Sequence, residues 1–410
     1  MAKNKDERIF ISIDPGFDSI KILINGVTLL KFPKEVADIS NMQEGNGYQG
    51  TQNRFIGVKE DDYMKVQYVE GKTHLVGEYA AKYLAERGDE KSIEESFAIS
   101  ESANDTFSVF QTTEKEILIM TAIAKALIEY AKTAQSLVKL EPQNGYTEVK
   151  ILTDQIFIGV AMPHDAVDAW NYIEKWMNGT HDYKLETKEG LYHININTRK
   201  CMVGSQVISA LYGVLTDDVG ALNDVALSDD KLPAIVIDGG YLTLGIAHFT
   251  TVKLVDGSDS NLRYAMRNIY DNVAGQIREI SKRSDVSSVT VKQTMRQKEK
   301  KLHYLDGNKK GHTIDVGAMV SDEIRKVCEE LIEELRNKYK NLVNIRSIIV
   351  TGGTGIAYYE HMKEILSDCD WINVMLTDYE FNGKNITPDF AIVVGMYKVL
   401  HAAVDAKYAA

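Results

Sequence analysis

The stretch that decides the fold is "IFISIDPGFDSIKILING", residues 9–26. An apolar run stops at Asp14, passes through a proline and Gly16, and resumes as a second run of strand-forming residues. This second run ends in Asn25-Gly26, a strong signal for a tight hairpin turn, and a further strand, "VTLLKF", follows. The segment therefore predicts a β-meander whose first turn interrupts the apolar pattern with a carboxylate and a glycine.

The first turn of this meander has the chemistry of an anion site. It holds Asp14, Gly16 and Asp18, and Lys21 follows in the second strand. Glycine lets the backbone approach a bulky anion, a lysine ammonium offsets its charge, and a carboxylate attracts the accompanying cation. P-loops and dinucleotide-binding fingerprints continue from the glycine turn into a helix, whereas here a strand follows. A single turn of this kind also occurs in ordinary hairpins.

The pattern occurs a second time at residues 234–249, "AIVIDGGYLTLGIAHF". An apolar strand leads to Asp238 and Gly239-Gly240, and Thr243 opens the next strand. The aspartates of the two turns are 224 residues apart, more than half the chain, which predicts two similar halves. If both hairpins face one cleft, their amides, Lys21 and Thr243 can bind a polyphosphate while the two aspartates hold the waters of magnesium.

A third glycine-rich loop follows the strand "SIIV", residues 347–350. It reads "TGGTG", residues 351–355, and the helical pattern "IAYYEHMKEIL" comes next. Its glycines let a nucleoside lie against the backbone, although a tight strand-to-helix turn has the same composition. The order of the three loops gives the interpretation more weight than any one of them.

Composition limits the class of protein. The 410 residues suffice for two or three domains, and 44% hydrophobic with 26% charged residues is typical of a soluble globular chain. No window of about 18 apolar residues and no signal-peptide pattern is present, so we expect a cytoplasmic protein without a membrane contact. A net charge of -12 argues against direct nucleic-acid binding. The three cysteines are too far apart in sequence to suggest a zinc site or a disulfide framework.

Periodicity predicts three helices outside these motifs. Residues 114–138 have apolar positions at helical spacing, and residues 321–340 form a second amphipathic pattern with Ser321 as the candidate N-cap. Thr387-Pro388 supplies a cap and a first-turn proline for a helix near the C-terminus.

Taken together, the motifs resemble the superfamily of actin, heat-shock chaperones and sugar kinases, and within it the bacterial plasmid-segregation actins of the ParM type. "IDPGFDSIK" resembles the first phosphate motif, "IDGGYLTLG" the second, and "IIVTGGTGI" the adenosine motif. "IFIGVAMP", residues 156–163, is similar to a strand of the first domain. "CMVGSQVISALYGVL", residues 201–215, is similar to the helix that connects the domains, and "TPDFAIVVGMYKVLHAA", residues 387–403, to the return connection.

The resemblance implies an α/β, actin-like two-domain fold, with ribonuclease H-like β-sheets flanked by helices and a nucleotide cleft between the domains. Domain I is expected at residues 8–203 plus 388–410, with a small peripheral subdomain at about 33–110. Domain II is expected at residues 204–387, with a peripheral subdomain at about 272–345.

The resemblance also implies roles for individual residues. Asp14 and Asp238 would hold magnesium through water and, with Gln206, would form the catalytic set. Gln206 stands where the ParM type usually has a glutamate and actin a glutamine; it can orient a water but is a poor general base. Gly245 stands where family members often carry a second acid. The nucleotide-binding residues would be Asp14, Gly16, Phe17, Asp18, Lys21, Gly239, Gly240, Thr243, Gly352, Gly353 and Thr354.

Two functions remain open at this point. The first is a filament-forming protein of the actin type that hydrolyses ATP or GTP with magnesium and segregates plasmid DNA through a DNA-binding adaptor of the ParR type. The second is a small-metabolite kinase of the same superfamily, which needs a carboxylate base such as Asp154 or Asp165.

Charge is unevenly distributed along the chain. Residues 278–310 are rich in lysine and arginine, whereas residues 86–105 are mostly acidic. Such runs are usually solvated faces. They also suit a head-to-tail contact between copies, because a heterologous contact whose rotation does not close produces an open helical filament.

Overall fold

The computed structural model describes residues 7–40, 59–68, 72–86, 111–134, 136–222, 231–250, 254–256, 263–306 and 309–408. The chain divides into two compact units, Met1–Ala221 with Ile392–Ala410, and Leu222–Ala391. The acidic stretch 86–105, apart from its first residue, and much of the expected subdomain at 33–110 lie outside the described residues.

The main sheet of the first unit is built on the opening apolar run. Its strand order is β3-β2-β1-β9-β12, with β1 antiparallel to β2 and parallel to β9. Asn25 and Gly26 both have positive φ, 47° and 67°, as the predicted tight turn between β2 and β3 requires. The strands are β1 Ile9–Pro15, β2 Ser19–Ile24, β3 Thr28–Pro33, β9 Ile156–Met162 and β12 Lys200–Ser205.

A second sheet of the first unit has the order β4-β6-β5-β10-β11-β8-β7. Its strands are β4 Val36–Asp38, β5 Lys65–Gln67, β6 His74–Val76, β7 Val138–Pro142, β8 Thr147–Ile151, β10 Thr180–Thr187 and β11 Gly190–Asn197. The helices of this unit are α1 Glu78–Glu86, α2 Thr113–Thr133, α3 Val167–Met177 and α4 Gln206–Leu215. The long helix predicted at 114–138 is confirmed as α2, which packs on β1, β2 and β3, but its predicted end is wrong because α2 ends at Thr133 and Val138 begins β7.

The second unit repeats the strand order of the first. Its main sheet runs β15-β14-β13-β18-β19, so an antiparallel meander again lies beside parallel strands. The strands are β13 Ala234–Gly239, β14 Leu244–Phe249, β15 Leu254–Asp256, β18 Ser347–Thr351 and β19 Asn373–Leu376; two hairpins add β16 Lys301–Leu305 with β17 Gly311–Asp315 and β20 Tyr379–Phe381 with β21 Lys384–Ile386. The prediction of two similar halves is confirmed at the level of topology.

The helices of the second unit pack on one apolar cluster that includes Ile237, Val320 and Val350. They are α5 Met266–Ser281, α6 Ser288–Met295, α7 Val316–Lys338 and α8 Gly355–Ile365, and α9 Pro388–Tyr408 runs from this unit into the first.

Two helix starts differ from the prediction. Ser321 is not the N-cap of α7, because β17 leads directly into the helix and Asp315 accepts the Ala318 amide hydrogen as its cap. Residues 201–205 are not helical, because they pair with β9 as the last strand of the sheet. The connecting helix α4 begins at Gln206, packs on β9 and β12, and therefore belongs to the first unit, which extends to Ala221.

Helix α9 closes the first unit. The Ser12 hydroxyl in β1 donates to the Val393 carbonyl oxygen (2.8 Å). Gly395 lies so close to α4 that a Cβ there would be 1.8 Å from the Ser209 carbonyl oxygen. The buried Lys398 ammonium donates to the carbonyl oxygens of Gly213 and Thr216 (both 2.9 Å), at the C-terminal end of α4. Among the described residues, no helix has the length and apolarity needed to cross a membrane.

Candidate functional site

The candidate residues of the first unit gather at one edge of its sheet. Strands β1, β9 and β12 are parallel, so their carboxyl ends lie together, and ligands of open α/β sheets bind outside such ends. Asp14 lies at the end of β1, and Gln206 directly follows β12. The strand order thus brings together two residues that are far apart in sequence.

Asp14 is the centre of this group. Its carboxylate is 2% exposed and accepts a hydrogen bond from each of two side chains. Lys21 Nζ donates to Oδ2 (3.1 Å), because the two residues are directly opposite in the β1–β2 pair. Gln206 Nε2 donates to Oδ1 (2.9 Å). Since a carboxylate oxygen can accept two hydrogen bonds, both oxygens retain capacity for a metal-bound water.

The turn after Asp14 is shaped by a glycine. A Cβ at Gly16 would lie 2.9 Å from the Ser19 carbonyl oxygen and 3.1 Å from Lys21 Nζ. A side chain here would therefore displace the ammonium that pairs with Asp14. Phe17 is buried and Asp18 is half-buried in the same turn.

Sequence reasoning missed one residue of this group, Lys115 in the first turn of α2. It is 2% exposed, and its Nζ donates to the carbonyl oxygens of Pro15 (2.8 Å) and Gly16 (3.3 Å). The ammonium also lies 5.5 Å from the centroid of the Phe17 ring. Burial lowers the pKa of Lys115 to about 7, and the nearby Asp14 carboxylate opposes this shift. The signal in the sequence was a lysine near the start of a predicted helix, two positions before an apolar run that begins at Ile117.

The second unit has a corresponding edge. Asp238 at the end of β13 is opposite Thr351 at the end of β18, in a parallel pair. Asp238 is half-buried, and a Cβ at Gly352 would lie 2.3 Å from its Oδ1. Gly352 has φ of +86°, which favours glycine, so the second aspartate and the third loop can approach each other. Gly245 is opposite Asp238 in β14 and brings no acid to this edge.

The remaining residues of this edge form two linked loops. The Gly240 amide donates to the Thr243 carbonyl oxygen (3.0 Å), which closes the turn between β13 and β14. The Thr354 amide donates to the Gly239 carbonyl oxygen (3.1 Å), so the third loop is fastened to this turn. Gly353 is exposed and has open space where a Cβ would stand.

The third loop is also fastened to the start of α9. The Gly352 amide donates to the Pro388 carbonyl oxygen (3.2 Å), and the buried Thr351 hydroxyl donates to the same oxygen (3.4 Å). The Thr377 hydroxyl, which follows β19, donates to the Thr351 hydroxyl (2.9 Å). These buried hydrogen bonds fix the position of the third loop relative to the start of α9 and the end of β19.

Two acids considered as kinase bases lie in different places. Asp154 is exposed and precedes β9, at the amino end of the strand and therefore away from Asp14. Asp165 is exposed and follows the carboxyl end of β9, the edge that carries Asp14 and Gln206.

No family model and no curated protein matches this chain by sequence. Solved structures do match by fold. The apo psk41 ParM protein has a TM-score of 0.58 at 15% identity, over 98% of this chain and 100% of that one. A 15-stranded ParM filament from Clostridium botulinum has a TM-score of 0.61 at 15% identity, over 97% and 99%. A Bacillus thuringiensis ParM hybrid protein with ADP, which contains two ParM mutants, has a TM-score of 0.57 at 13% identity, over 98% and 49%.

These similarities define the class of fold. The chain has the actin-like two-domain α/β fold, in which each domain is built on a sheet of the order described above. More particularly, its fold is that of ParM and related actin-like filament proteins, as the sequence motifs predicted.

Proposed function

We propose that this protein is a nucleoside triphosphatase of the actin-like class that binds ATP or GTP with magnesium and assembles into filaments. The observation that carries the proposal is the buried Asp14 carboxylate, which accepts hydrogen bonds from Lys21 and Gln206 at the carboxyl edge of the first sheet. The solved ADP complex and filament of similar fold support it by analogy. We also propose that the protein acts in the cytoplasm.

The residues fit a polyphosphate with a hard cation. The backbone amides of a glycine turn such as the one at Gly16 suit an anion, and Lys21 offers a cation beside this turn. Asp14 and Asp238 are carboxylates at the carboxyl ends of corresponding strands, and carboxylate oxygens are suited to hold magnesium through its bound waters. Magnesium bound there would neutralise the charge that develops on the phosphate oxygens.

Gln206 is proposed to orient the attacking water. Its Nε2 donates to Asp14, an acceptor-only group, and this bond holds the side chain so that its Oε1 can accept a hydrogen bond from water. Ser205 caps α4 by accepting the Ile208 amide hydrogen (3.4 Å), which fixes the start of the helix that carries Gln206.

Self-assembly is supported by an unusual surface of the second unit. The hairpin β16–β17 and the turn before it, here called the lysine hairpin, carry five exposed lysines: Lys298, Lys300, Lys301, Lys309 and Lys310. Within the part of the chain that the structure describes, none of the five forms an ion pair. The chain as a whole carries a net charge of -12. We propose that the lysine hairpin contacts an acidic surface of the next copy in a filament.

The cargo follows from the resemblance of the motifs to plasmid-segregation actins. We propose that the filament moves plasmid DNA through a ParR-type adaptor, because a chain with a net charge of -12 is a poor direct partner for DNA.

Light scattering and electron microscopy test the proposal. The purified protein is mixed with ATP or GTP in the presence of magnesium, and phosphate release is measured on the same sample, with EDTA as the metal-free control. We expect scattering and filaments only with triphosphate and magnesium, and we expect Asp238→Asn to raise the magnesium concentration needed for hydrolysis. Hydrolysis with no polymer at any protein concentration would contradict the filament proposal.

The kinase alternative retains one observation, the position of exposed Asp165 at the edge that carries Asp14. A kinase would transfer the terminal phosphate to a small hydroxyl compound. It would not polymerise, so light scattering would not increase when nucleotide is added. Phosphate release that requires no acceptor, and that survives in Asp165→Asn, decides against this alternative.

A further inference from the structure

The turn after Asp14, here called the first phosphate turn, is bonded on its α2 side to a lysine that the proposed function does not use. Lys115 Nζ contacts two consecutive carbonyl oxygens, those of Pro15 and Gly16, at 2.8 and 3.3 Å. The side chain is almost fully buried and begins in the first turn of α2, where Thr112 caps the helix by accepting the Lys115 amide hydrogen. Burial of a cation raises the free energy of the folded state unless the cation is well hydrogen-bonded. The burial of Lys115 against this turn therefore calls for an explanation.

The planarity of the peptide group gives the reason. In a trans peptide, the C=O and the following N–H point in opposite directions. When the carbonyl oxygens of Pro15 and Gly16 both face Lys115, the N–H groups of Gly16 and Phe17 face the opposite side of the turn. Consecutive N–H groups directed to one side form a concave nest that binds anions.

We propose that Lys115 is a positioning residue that holds the first phosphate turn in its anion-binding shape. By binding two carbonyl oxygens on the α2 side, it directs the N–H groups of Gly16 and Phe17 toward a phosphate on the other side. The inference rests on the proposed function, in which this turn binds the phosphates of a nucleotide. Lys115 does not itself contact the phosphate in this arrangement, because the turn separates the two.

The test compares Lys115→Met with Lys398→Met. Both substitutions keep the aliphatic stem and remove an ammonium that is at most 2% exposed and bonded to two backbone carbonyl oxygens. Lys398 binds the C-terminal end of α4, so it controls for the loss of a buried lysine. The probes are fluorescent mant-ATP and mant-GTP, and hydrogen exchange of the peptide that spans residues 14–20 is measured without nucleotide.

We expect both variants to have a lower Tm. Only Lys115→Met should lose nucleotide affinity, by about tenfold or more, and only Lys115→Met should show faster exchange in residues 14–20. If Lys115→Met does not fold, Lys115→Gln replaces it under the same criteria. Equal losses of affinity in both variants, or unchanged affinity and exchange in a folded Lys115 variant, would overturn the inference.

The two proposals fail in different ways. If the wild-type protein binds neither nucleotide, the proposed function fails, whereas the exchange comparison still shows whether Lys115 holds the turn. If the wild type binds nucleotide and Lys115→Met binds it equally well, only the positioning role fails.

Discussion

Asp14 joins three elements of the first unit through its two carboxylate oxygens. Lys21 reaches it from β2, and Gln206 reaches it from the first turn of α4. A buried carboxylate is stable when it is paired with a cation and hydrogen-bonded, and both conditions are met here. The position of Gln206 therefore depends on Asp14, so the two side chains are expected to act together.

The first prediction concerns Gln206→Ala. Orientation of the attacking water acts on the transition state more than on ground-state binding, so nucleotide affinity should remain within about twofold of wild type while turnover falls by about tenfold or more. In an actin-like filament, hydrolysis loosens the subunits, so the filaments of the variant should persist. Phosphate release and the decay of scattering are measured on one sample after the nucleotide becomes limiting.

Two other outcomes have distinct meanings. Normal phosphate release in Gln206→Ala would show that another residue positions the water. Simultaneous loss of affinity and assembly would assign Gln206 a packing role at the start of α4.

At the level of elements, the three loops could be predicted from sequence because each depends on local chemistry. The meander over residues 9–33, the hairpin over residues 234–249 and the strand-loop-helix at residues 347–365 are confirmed. Glycine, Asn-Gly and strand-forming residues restrict the backbone within a few positions, so no distant contact is needed to recognise them.

The parts that could not be predicted depend on tertiary contacts. From sequence alone, residues 201–205 of β12 are assigned to the helix that follows them. They form a strand because they pair with β9, and this pairing cannot be recognised from local sequence. Helix α7 begins at Val316 because β17 ends there, and Asp315 is an equally suitable cap to Ser321. Lys115 looks like one of many helix lysines, since its two carbonyl partners lie about 100 residues away in sequence. The roles of the site residues stay predictions.

The second prediction concerns the third loop and uses neighbouring glycines. Gly352→Ala should weaken nucleotide binding by about tenfold or more, because alanine is strained at φ of +86° and its Cβ would lie 2.5 Å from the Gly239 carbonyl oxygen. Gly353→Ala is the matched control, because no atom lies within 4 Å of its Cβ position. Titration with mant-nucleotides measures both. Equal affinities would mean that the loop can shift without affecting the nucleotide.

The third prediction concerns the contact between α4 and α9. Burial lowers the pKa of Lys398 to about 8, from 10.5 for an ordinary lysine. Between these values the unfolded chain binds the proton and the folded chain releases it, so the free energy of unfolding should rise with pH in this window. The penalty for the buried cation is fully present below pH 8 and is gone above pH 10.5.

Lys398→Met removes this titration and isolates it from other groups. We expect the free energy of unfolding of wild type, relative to the variant, to increase from pH 7.5 to pH 10 in urea denaturation. A constant difference over this range would show that Lys398 has an ordinary pKa in the folded state.

At the level of the whole molecule, the lysine hairpin gives assembly a defined dependence on salt. If it pairs with an acidic surface of another copy, the critical concentration should increase from low to physiological ionic strength, because salt screens exposed charges. No change with salt would exclude charge pairing as a source of affinity.

Charge reversal at the lysine hairpin gives the fifth prediction. Lys301→Glu/Lys310→Glu should raise the critical concentration by about tenfold, because like charges then meet across the contact. Lys139→Glu/Lys184→Glu, at exposed positions of the first unit, makes the same change in net charge. Sedimentation of polymer at several protein concentrations measures both variants. An equal effect of the two pairs would indicate general repulsion between acidic chains and not a contact at the lysine hairpin.

The closure of the first unit by α9 has a consequence for biosynthesis. A nascent chain leaves the ribosome from its N-terminus, and β1 receives its partner Val393 only after residues 222–391 have been synthesised. The second unit is continuous in sequence, so it can complete its fold while the first still lacks a helix. Nascent chains therefore carry Asp14 in a unit that has all the strands of its main sheet but still lacks α9, and any binding that requires α9 would be acquired late in translation. This order would delay assembly on the ribosome, where neighbouring copies are crowded on one messenger RNA.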